Sequence, residues 1–303
     1  MISIILAAYN GSQYIREQLD SLLHQTCNDY EIIIIDDCSD DNTYEMVKNF
    51  FANINNKNVQ LIRNEENLGP TKSFEKGIKL CNGKYIAFCD QDDVWMPNKL
   101  SVLLETIENE KSDLVFAQSY LLNSGRKTGK RYPPIRKAGN LFNQLLYNNA
   151  RGATMLVRKD FIERILPFSP YDIYDKWIYF SALCSGKISF VNEPLDYYRI
   201  HSKNYVGNQF RFRKKENLLI RLNNSVLFYK DFQKLVSDKL RISSEKILNS
   251  VRQIILFYEQ TINCLKNRKL RICLNNYFNY VLRNEFSIKE KLIYFYYMIL
   301  KKQ

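Results

Sequence analysis

The chain has 303 residues, 46% of them hydrophobic, 14% aromatic and 25% charged, with ten Gly and seven Pro. That composition excludes collagen-like and low-complexity classes and is that of a packed globular protein, one large domain or one domain with an appendage. The formal charge is +12 but unevenly placed: residues 1–207 carry 24 Lys/Arg against 25 Asp/Glu, and residues 208–303 carry 20 against 7.

The chain opens on MISIILAAYN, an apolar run too short for a signal peptide and lacking its positive flank; residues 2–6 are a β-branched run suited to a strand buried on both faces. Residues 12–25 follow with Ile15, Leu19, Leu22 and Leu23 at helical spacing. Residues 30–35 form a second apolar run that ends in Asp36-Asp37. Residues 40–51 read as a helix, 59–63 as a third strand, 71–81 as a helix, and 84–89 as a fourth strand running into acidic residues. This rhythm predicts an α/β fold, a mostly parallel sheet with helices on both faces, whose ligands bind beyond the carboxyl ends of the strands. Chemistry is therefore expected at residues 8–11, 36–41 and 90–93. Residues 112–117 suggest another strand, 123–138 a polar loop rich in Lys and Arg, 152–158 a strand, 160 onward a short helix and 173–184 a helix. Residues 187–191 and 195–199 read as two closing strands. From about residue 211 the pattern changes to long amphipathic helices broken by polar turns such as Ser243-Ser244. The expected division is a catalytic domain over 1–207 and a basic helical region over 208–303.

The seven Cys contain no CxxC pair and lie mostly in apolar runs, which reads as reduced thiols of a cytoplasmic protein rather than a disulfide framework or zinc site. No apolar segment approaches the roughly 20 residues of a transmembrane helix, and the longest late run, residues 292–300, is about half that.

The sharpest chemical signal is Asp90-Gln91-Asp92-Asp93, three carboxylates in four positions just past a buried strand. Like charges this close raise one another's pKa unless a cation compensates, and carboxylate oxygens suit Mg²⁺ or Mn²⁺. The plainer alternative is an acidic helix start. Asp36 and Asp37 lie outside the capping needs of the helix that follows, and are either acceptors for a base or ribose or ordinary strand-end carboxylates. Neither a GxGxxG after the first strand nor a GxxxxGK[ST] occurs, which argues against a dinucleotide site and a P-loop. Of the two His, His24 reads as a surface or interface residue, and His201, just after a predicted strand, is either an ordinary strand-end residue or a side chain that Mn²⁺ accepts. Asp175 is either a first-turn helix acid or a functional carboxylate.

Five stretches together resemble the family 2 glycosyltransferases with the GT-A fold. They are Ala7-Ala8-Tyr9-Asn10-Gly11, then residues 35–43 (IDDCSDDNT), then Asn64-Glu65-Glu66-Asn67-Leu68-Gly69-Pro70, then Asp90-Gln91-Asp92-Asp93-Val94-Trp95. The last combines Asp175-Lys176-Trp177 with Glu193-Pro194-Leu195 and Tyr198-Arg199-Ile200-His201. The resemblance covers residues 1 to about 207 and is nearest to bacterial rhamnosyl- and hexosyltransferases of O-antigen or capsule synthesis. It implies that Ala8, Tyr9, Asp36 and Asp37 line a nucleoside pocket, that Asp90 lies toward the ribose and diphosphate, and that Asp92 and His201 hold Mg²⁺ or Mn²⁺. It implies Asp175 as the catalytic base of an inverting transfer from a UDP- or dTDP-sugar, although Tyr174 stands where relatives often carry Glu or His, and Asp172 is the nearby competitor. The implied acceptor is a polyprenyl-diphosphate-linked saccharide at the inner face of the cell membrane.

Two readings compete with this one. A nucleotidyltransferase would want Lys or Arg in the loop after the first strand, and none occurs before Arg16. Nucleic-acid binding by the basic tail lacks any recognisable motif. The tail reads instead as a peripheral element on an anionic membrane surface, with Phe210, Phe212, Tyr229, Phe257, Tyr277 and Tyr280 among its aromatic residues, or as a helical subdomain with a basic exterior or a dimer interface.

Overall fold

A computed structural model of the chain describes residues 1–52, 58–123, 125–132, 141–146, 148–201 and 218–267. The isoleucine-rich runs form the centre of one sheet. β1 (Ile2–Ala8), β2 (Tyr30–Asp36), β3 (Val59–Arg63) and β4 (Tyr85–Asp90) lie parallel in the order β3-β2-β1-β4. Ile4, Ile5 and Ile32 to Ile35 are fully buried, as strands covered on both faces require. The covering helices are α1 (Ile15–Leu23), α2 (Thr43–Ala52), α3 (Pro70–Ile78) and α4 (Lys99–Asn109). α1 turns Ile15, Leu19 and Leu22 into the core, and α3 starts with Pro70 in its first turn, where a missing N–H costs nothing.

Beyond β4 the sheet continues with mixed direction: β5 (Val94–Trp95), β6 (Leu114–Asn123), β7 (Arg126–Tyr132), β8 (Met155–Arg158) and β9 (Ile188–Ile200). The order continues β4-β8-β6-β9-β5, with β7 also paired to β6, making nine strands among the described residues. β8 runs antiparallel to both β4 and β6, while β6 and β9 are parallel. Residues 123–138, expected as a polar loop, contain an edge strand. β6 runs on past the end of β8, and β7 folds back to pair with residues 119–123 that would otherwise present unpaired groups. The two expected closing strands are one strand, β9, whose register against β6 slips between Ala117 and Ser119, at Pro194. A bulge is where a strand tolerates proline.

The short α5 (Leu141–Gln144) is followed by α6 (Lys159–Ile165) and α7 (Tyr174–Ser185). The chain divides into two compact units, residues 1–136 with 148–207, and residues 137–147 with 208–303. In the second, α8 (Leu218–Lys234) passes through a π-helical turn (Leu235–Lys239) and a polar break to α9 (Glu245–Lys266). Phe228, Tyr229, Phe232, Val236, Val251 and Ile254 form its core, and the Tyr229 hydroxyl donates to the Leu145 carbonyl. Tyr229 and Phe257, named above among interfacial aromatic residues, are buried here and so are not available to a membrane. Phe210, Phe212, Tyr277, Tyr280 and the 292–300 run lie outside the described residues. No helix among the described residues is long and apolar enough to cross a membrane.

Candidate active site

Parallel register sets the strand ends abreast: Ala8 pairs with Asp36, and Ala7 with Asp90. The loop after β1 is tied to the loop after β4 by Gln91, whose Oε1 accepts from Tyr9 N (2.8 Å) and whose Nε2 donates to Tyr9 O (2.9 Å). Gly11 allows this clasp, because a Cβ there would lie 2.1 Å from Gln91 Oε1. Asn10, at φ 49°, accepts the Asp40 N–H (2.8 Å) and donates its own to Ser39 Oγ (3.1 Å), joining the β1 and β2 loops. Asn tolerates that left-handed backbone better than most residues.

The two aspartates after β2 have different surroundings. Both Asp37 oxygens are occupied by the protein: Oδ1 accepts from Asn64 Nδ2 (2.8 Å) and Leu68 N (2.9 Å), Oδ2 from Gly69 N (2.8 Å). Asp37 thereby fixes the 64–69 loop that starts α3. Asp36 Oδ1 takes the Ser39 N–H (3.1 Å) and lies 3.4 Å from Arg63 Nε, while its Oδ2 is buried without a hydrogen bond. An orphaned carboxylate oxygen asks for a donor. Tyr9 is 41% exposed beside this edge, and Ala8 is buried in it.

The acidic turn after β4 wraps around a cation, 15% exposed, that the sequence reading missed. Arg151 donates to Asp93 Oδ2 (2.5 Å) and Ser119 Oγ (2.9 Å), lies 3.8 Å from Asp196 Oδ1 and 3.9 Å from Asp90 Oδ2, and covers the Tyr198 ring at 4.0 Å. Burial alone would lower the pKa of its guanidinium, but Asp93 and Asp196 outweigh burial and hold it charged. Lys99, fully buried, donates to Asp196 Oδ2 (2.5 Å) and the Ala153 carbonyl (2.6 Å) and sits over the Trp95 ring at 4.2 Å. Desolvation first, then the charges of Asp93 and Asp92, push the Asp90 carboxyl upward; its side chain stays 43% exposed, so water screens part of that push. Asp93 is wholly buried and structural, accepting also from Arg199 N (3.2 Å).

Asp92 and His201, far apart in sequence, meet: His201 Nε2 lies 2.7 Å from Asp92 Oδ2. Arg199 brings β9 there by donating to the Asp92 carbonyl (2.8 Å) and pairing with Glu17, while Tyr14 lies against the His201 ring (4.6 Å). One carboxylate and one imidazole form a donor set that Mn²⁺ or Mg²⁺ accepts, with remaining positions for phosphate oxygens and water. Among the described residues, no group of three or more His, Cys, Asp or Glu is gathered to hold a metal ion.

Asp175, in the first turn of α7, is buried. Oδ1 accepts from Asn148 Nδ2 (2.9 Å) and Oδ2 from Gly152 N (3.1 Å). Burial, and after it the charge of Asp90, pushes its carboxyl up to about 7 against the hydrogen bonds from the backbone of Gly152 and Lys176. Tyr174 packs beneath on Phe74 (4.4 Å) and Phe88 (5.1 Å), and only glycine fits at position 152, where a Cβ would meet the Tyr174 hydroxyl at 1.9 Å. Asp172 is instead paired with Lys176 at 2.5 Å. Arg151, Lys99 and Gln91 left little trace in the sequence, since the burial of a cation and the folding back of an amide are set by tertiary contacts.

The sequence matches the family described as "Glycosyl transferase family 2" over residues 3–166. The chain is a family 2 glycosyltransferase. Over 214 residues, 70% of this chain and 82% of the relative, the glycosyltransferase is 30% identical to UDP-Glc:alpha-D-GlcNAc-diphosphoundecaprenol beta-1,3-glucosyltransferase WfaP of Escherichia coli. It is 28% identical to WfgD of the same organism, a protein of the same description, over 71% of this chain and 83% of the relative. Among solved structures, S. aureus TarS 1-349 in complex with UDP-GlcNAc superposes with a TM-score of 0.58 at 19% identity, covering 86% of this chain and 91% of that one. The mannosyltransferase PcManGT of Pyrobaculum calidifontis, in complex with GDP-Man and Mn²⁺, gives 0.56 at 12% identity over 90% and 80%. The glycosyltransferase thus has the GT-A fold followed by a helical region, as its sequence implied, and the nucleotidyltransferase reading is set aside.

Proposed function

We propose that this glycosyltransferase moves a hexose from a UDP- or dTDP-sugar to a saccharide carried on a polyprenyl diphosphate, with inversion at the anomeric carbon. The observation that carries the mechanism is Asp175, a buried carboxylate with no cation paired to it among the described residues, held by Gly152 N and Asn148. A base poised near neutral pH suits deprotonation of a hydroxyl. Asp175 takes the proton of the acceptor hydroxyl as that oxygen bonds to the anomeric carbon and the bond to the nucleoside diphosphate breaks from the opposite face. The proton ends on Asp175, and no covalent enzyme intermediate forms. Asp36 Oδ2 and Tyr9 receive the nucleoside, with Ala8 behind them, and Asp37 supports this pocket through the 64–69 loop. Asp90 lies toward the ribose and diphosphate. Asp92 and His201 would hold Mg²⁺ or Mn²⁺, whose charge offsets that of the departing diphosphate. The names of the two E. coli relatives supply the acceptor class, a diphosphopolyprenol-linked sugar.

The test is a panel of nucleotide-sugars with a lipid-linked GlcNAc acceptor, read by product mass. One donor should add one hexose, EDTA should abolish transfer with Mn²⁺ or Mg²⁺ restoring it, and Asp92→Asn should lower turnover by about 10²-fold or more, the scale of lost electrostatic stabilisation. No transfer from any donor overturns the reading. Full activity in EDTA overturns its metal part.

A further inference from the structure

Between Asp113 and Asp160 the chain carries no Asp or Glu, while Arg126, Lys127, Lys130 and Arg131 stand within six positions. The fold gathers these four cations on β7, the strand at the free side of β6, with residues 126–131 all exposed. Among the described residues no carboxylate forms an ion pair with any of them. Arg131 donates to Asn192 Oδ1 (3.0 Å), and Lys127 lies over the Tyr197 ring at 4.4 Å.

Register ties this strand to the catalytic edge. Lys127 pairs with Leu122 and Arg126 with Asn123 on β6, and the same two residues pair with Arg199 and Ile200 on β9, one step from His201. Two strand spacings are about 10 Å. A stacked contact joins the two: Tyr132, at the end of β7, stacks on Tyr198 (4.9 Å, 7°), whose ring also carries Arg151, the cation inside the acidic turn. Edge protection explains part of this. A bulged or lysine-bearing edge strand resists pairing with another chain, and β7 is bulged near Gly129 (φ 67°), fastened by Thr128 Oγ1 to the Leu121 carbonyl (2.9 Å). One device would suffice for that; four uncompensated cations beside the reacting centre exceed it.

We propose that β7 is the binding strand for the diphosphate of the acceptor. This rests on the acceptor class given above, in which the diphosphate joins the lipid to the sugar, so a diphosphate with one negative charge on each phosphoryl group lies within one or two sugar units of the attacking hydroxyl. Charge complementarity selects the occupant: charged phosphate oxygens make the strong hydrogen bonds that Arg and Lys donate.

The experiment compares two water-soluble acceptors with the same sugar, one on a short alkyl diphosphate and one on a neutral alkyl glycoside. Wild-type enzyme should prefer the diphosphate acceptor in kcat/KM, and the preference should shrink as salt rises. Arg126→Gln/Lys130→Gln, which leaves the Lys127–Tyr197 and Arg131–Asn192 contacts in place, should lower that preference about ten-fold through acceptor KM, and Lys130→Arg should keep it. Binding of the full protein to vesicles of phosphatidylglycerol without acceptor is measured alongside. An unchanged preference overturns the proposal, and if the double variant instead loses only vesicle binding, the strand serves lipid headgroups. A wild-type enzyme that transfers to both acceptors equally overturns it too, while one that transfers from no nucleotide-sugar fails at the earlier reading.

Discussion

The carboxyl of Asp175 is kept from water by α7 and the 148–152 turn, with Asp90, Asp172, Tyr174 and Lys176 the titratable groups around it, and Lys176 is committed to Asp172. Burial pushes its pKa up to about 7, so proton removal by this base fails as the pH falls below that value. The expected kcat/KM rises about ten-fold per pH unit below 7 and levels above it. Stability moves the other way. The folded form keeps a proton that the unfolded carboxyl sheds, so the group's favourable contribution is complete below its ordinary pKa near 4 and is lost as the pH rises toward 7. Asp175→Asn should therefore lower turnover by about 10²-fold yet raise stability at pH 8 by up to a few kcal/mol, the gain vanishing near pH 4. Activity against pH and urea unfolding at both pH values check this. A variant that is both inactive and less stable at pH 8 would assign Asp175 to structure. Should Asp172→Asn be the inactive one, the base moves there.

At the level of elements, the β1 and β4 loops act as one through Gln91 and Gly11. The clash that Gly11→Ala introduces falls on the far end of a flexible amide, so the fold accommodates it while the clasp on Tyr9 is lost. Gly11→Ala and Gln91→Ala should each weaken donor binding several-fold with stability changed by under about 1 kcal/mol, and the double variant should be no worse than either single one. Additive losses, read by calorimetry of nucleotide-sugar binding, would separate the two residues. The elements themselves were legible where one physical signal dominates. β3 spans residues 59–63 in sequence and structure, because an apolar run bounded by polar turns has one solution. The acidic strand ends were legible because a parallel sheet gathers them at one edge. β7 was not, since a strand paired on one side and exposed throughout leaves no alternation of apolar and polar residues. β9 read as two strands because Asn192-Glu193-Pro194 looks like a turn and is in fact the bulge that carries the chain past β6. Arg151 and Lys99 went unread because a cation folded in against a carboxylate has the same letters as one in open solvent.

For the whole molecule the charge division is the main fact: near balance over residues 1–207 and a large positive excess over 208–303. Within the second unit some of that charge is spent internally, Lys230 on Glu259 (2.7 Å) and Arg252 on Glu245 (3.1 Å), but Lys234, Arg241 and Lys246 are exposed. We propose that this excess holds the protein on anionic membrane surfaces, each such cation contributing about 1 kcal/mol near the bilayer. The full chain should sediment with phosphatidylglycerol vesicles at about 0.1 M salt and be released at about 1 M, where the Debye length is about 3 Å. Replacing these three exposed cations by Gln should weaken binding; vesicle binding indifferent to salt and to these residues would return the unit to a packing or dimerising role. The chain's only two tryptophans, Trp95 over which Lys99 sits and Trp177 bonded to the Ile165 carbonyl (2.9 Å), are both buried in the first unit. Indole emission is thus a private signal of the catalytic unit, whereas far-ultraviolet dichroism also counts the turns of α8 and α9. Melting curves from the two signals that coincide mean a single cooperative transition, and curves that separate measure how independently the basic unit comes apart.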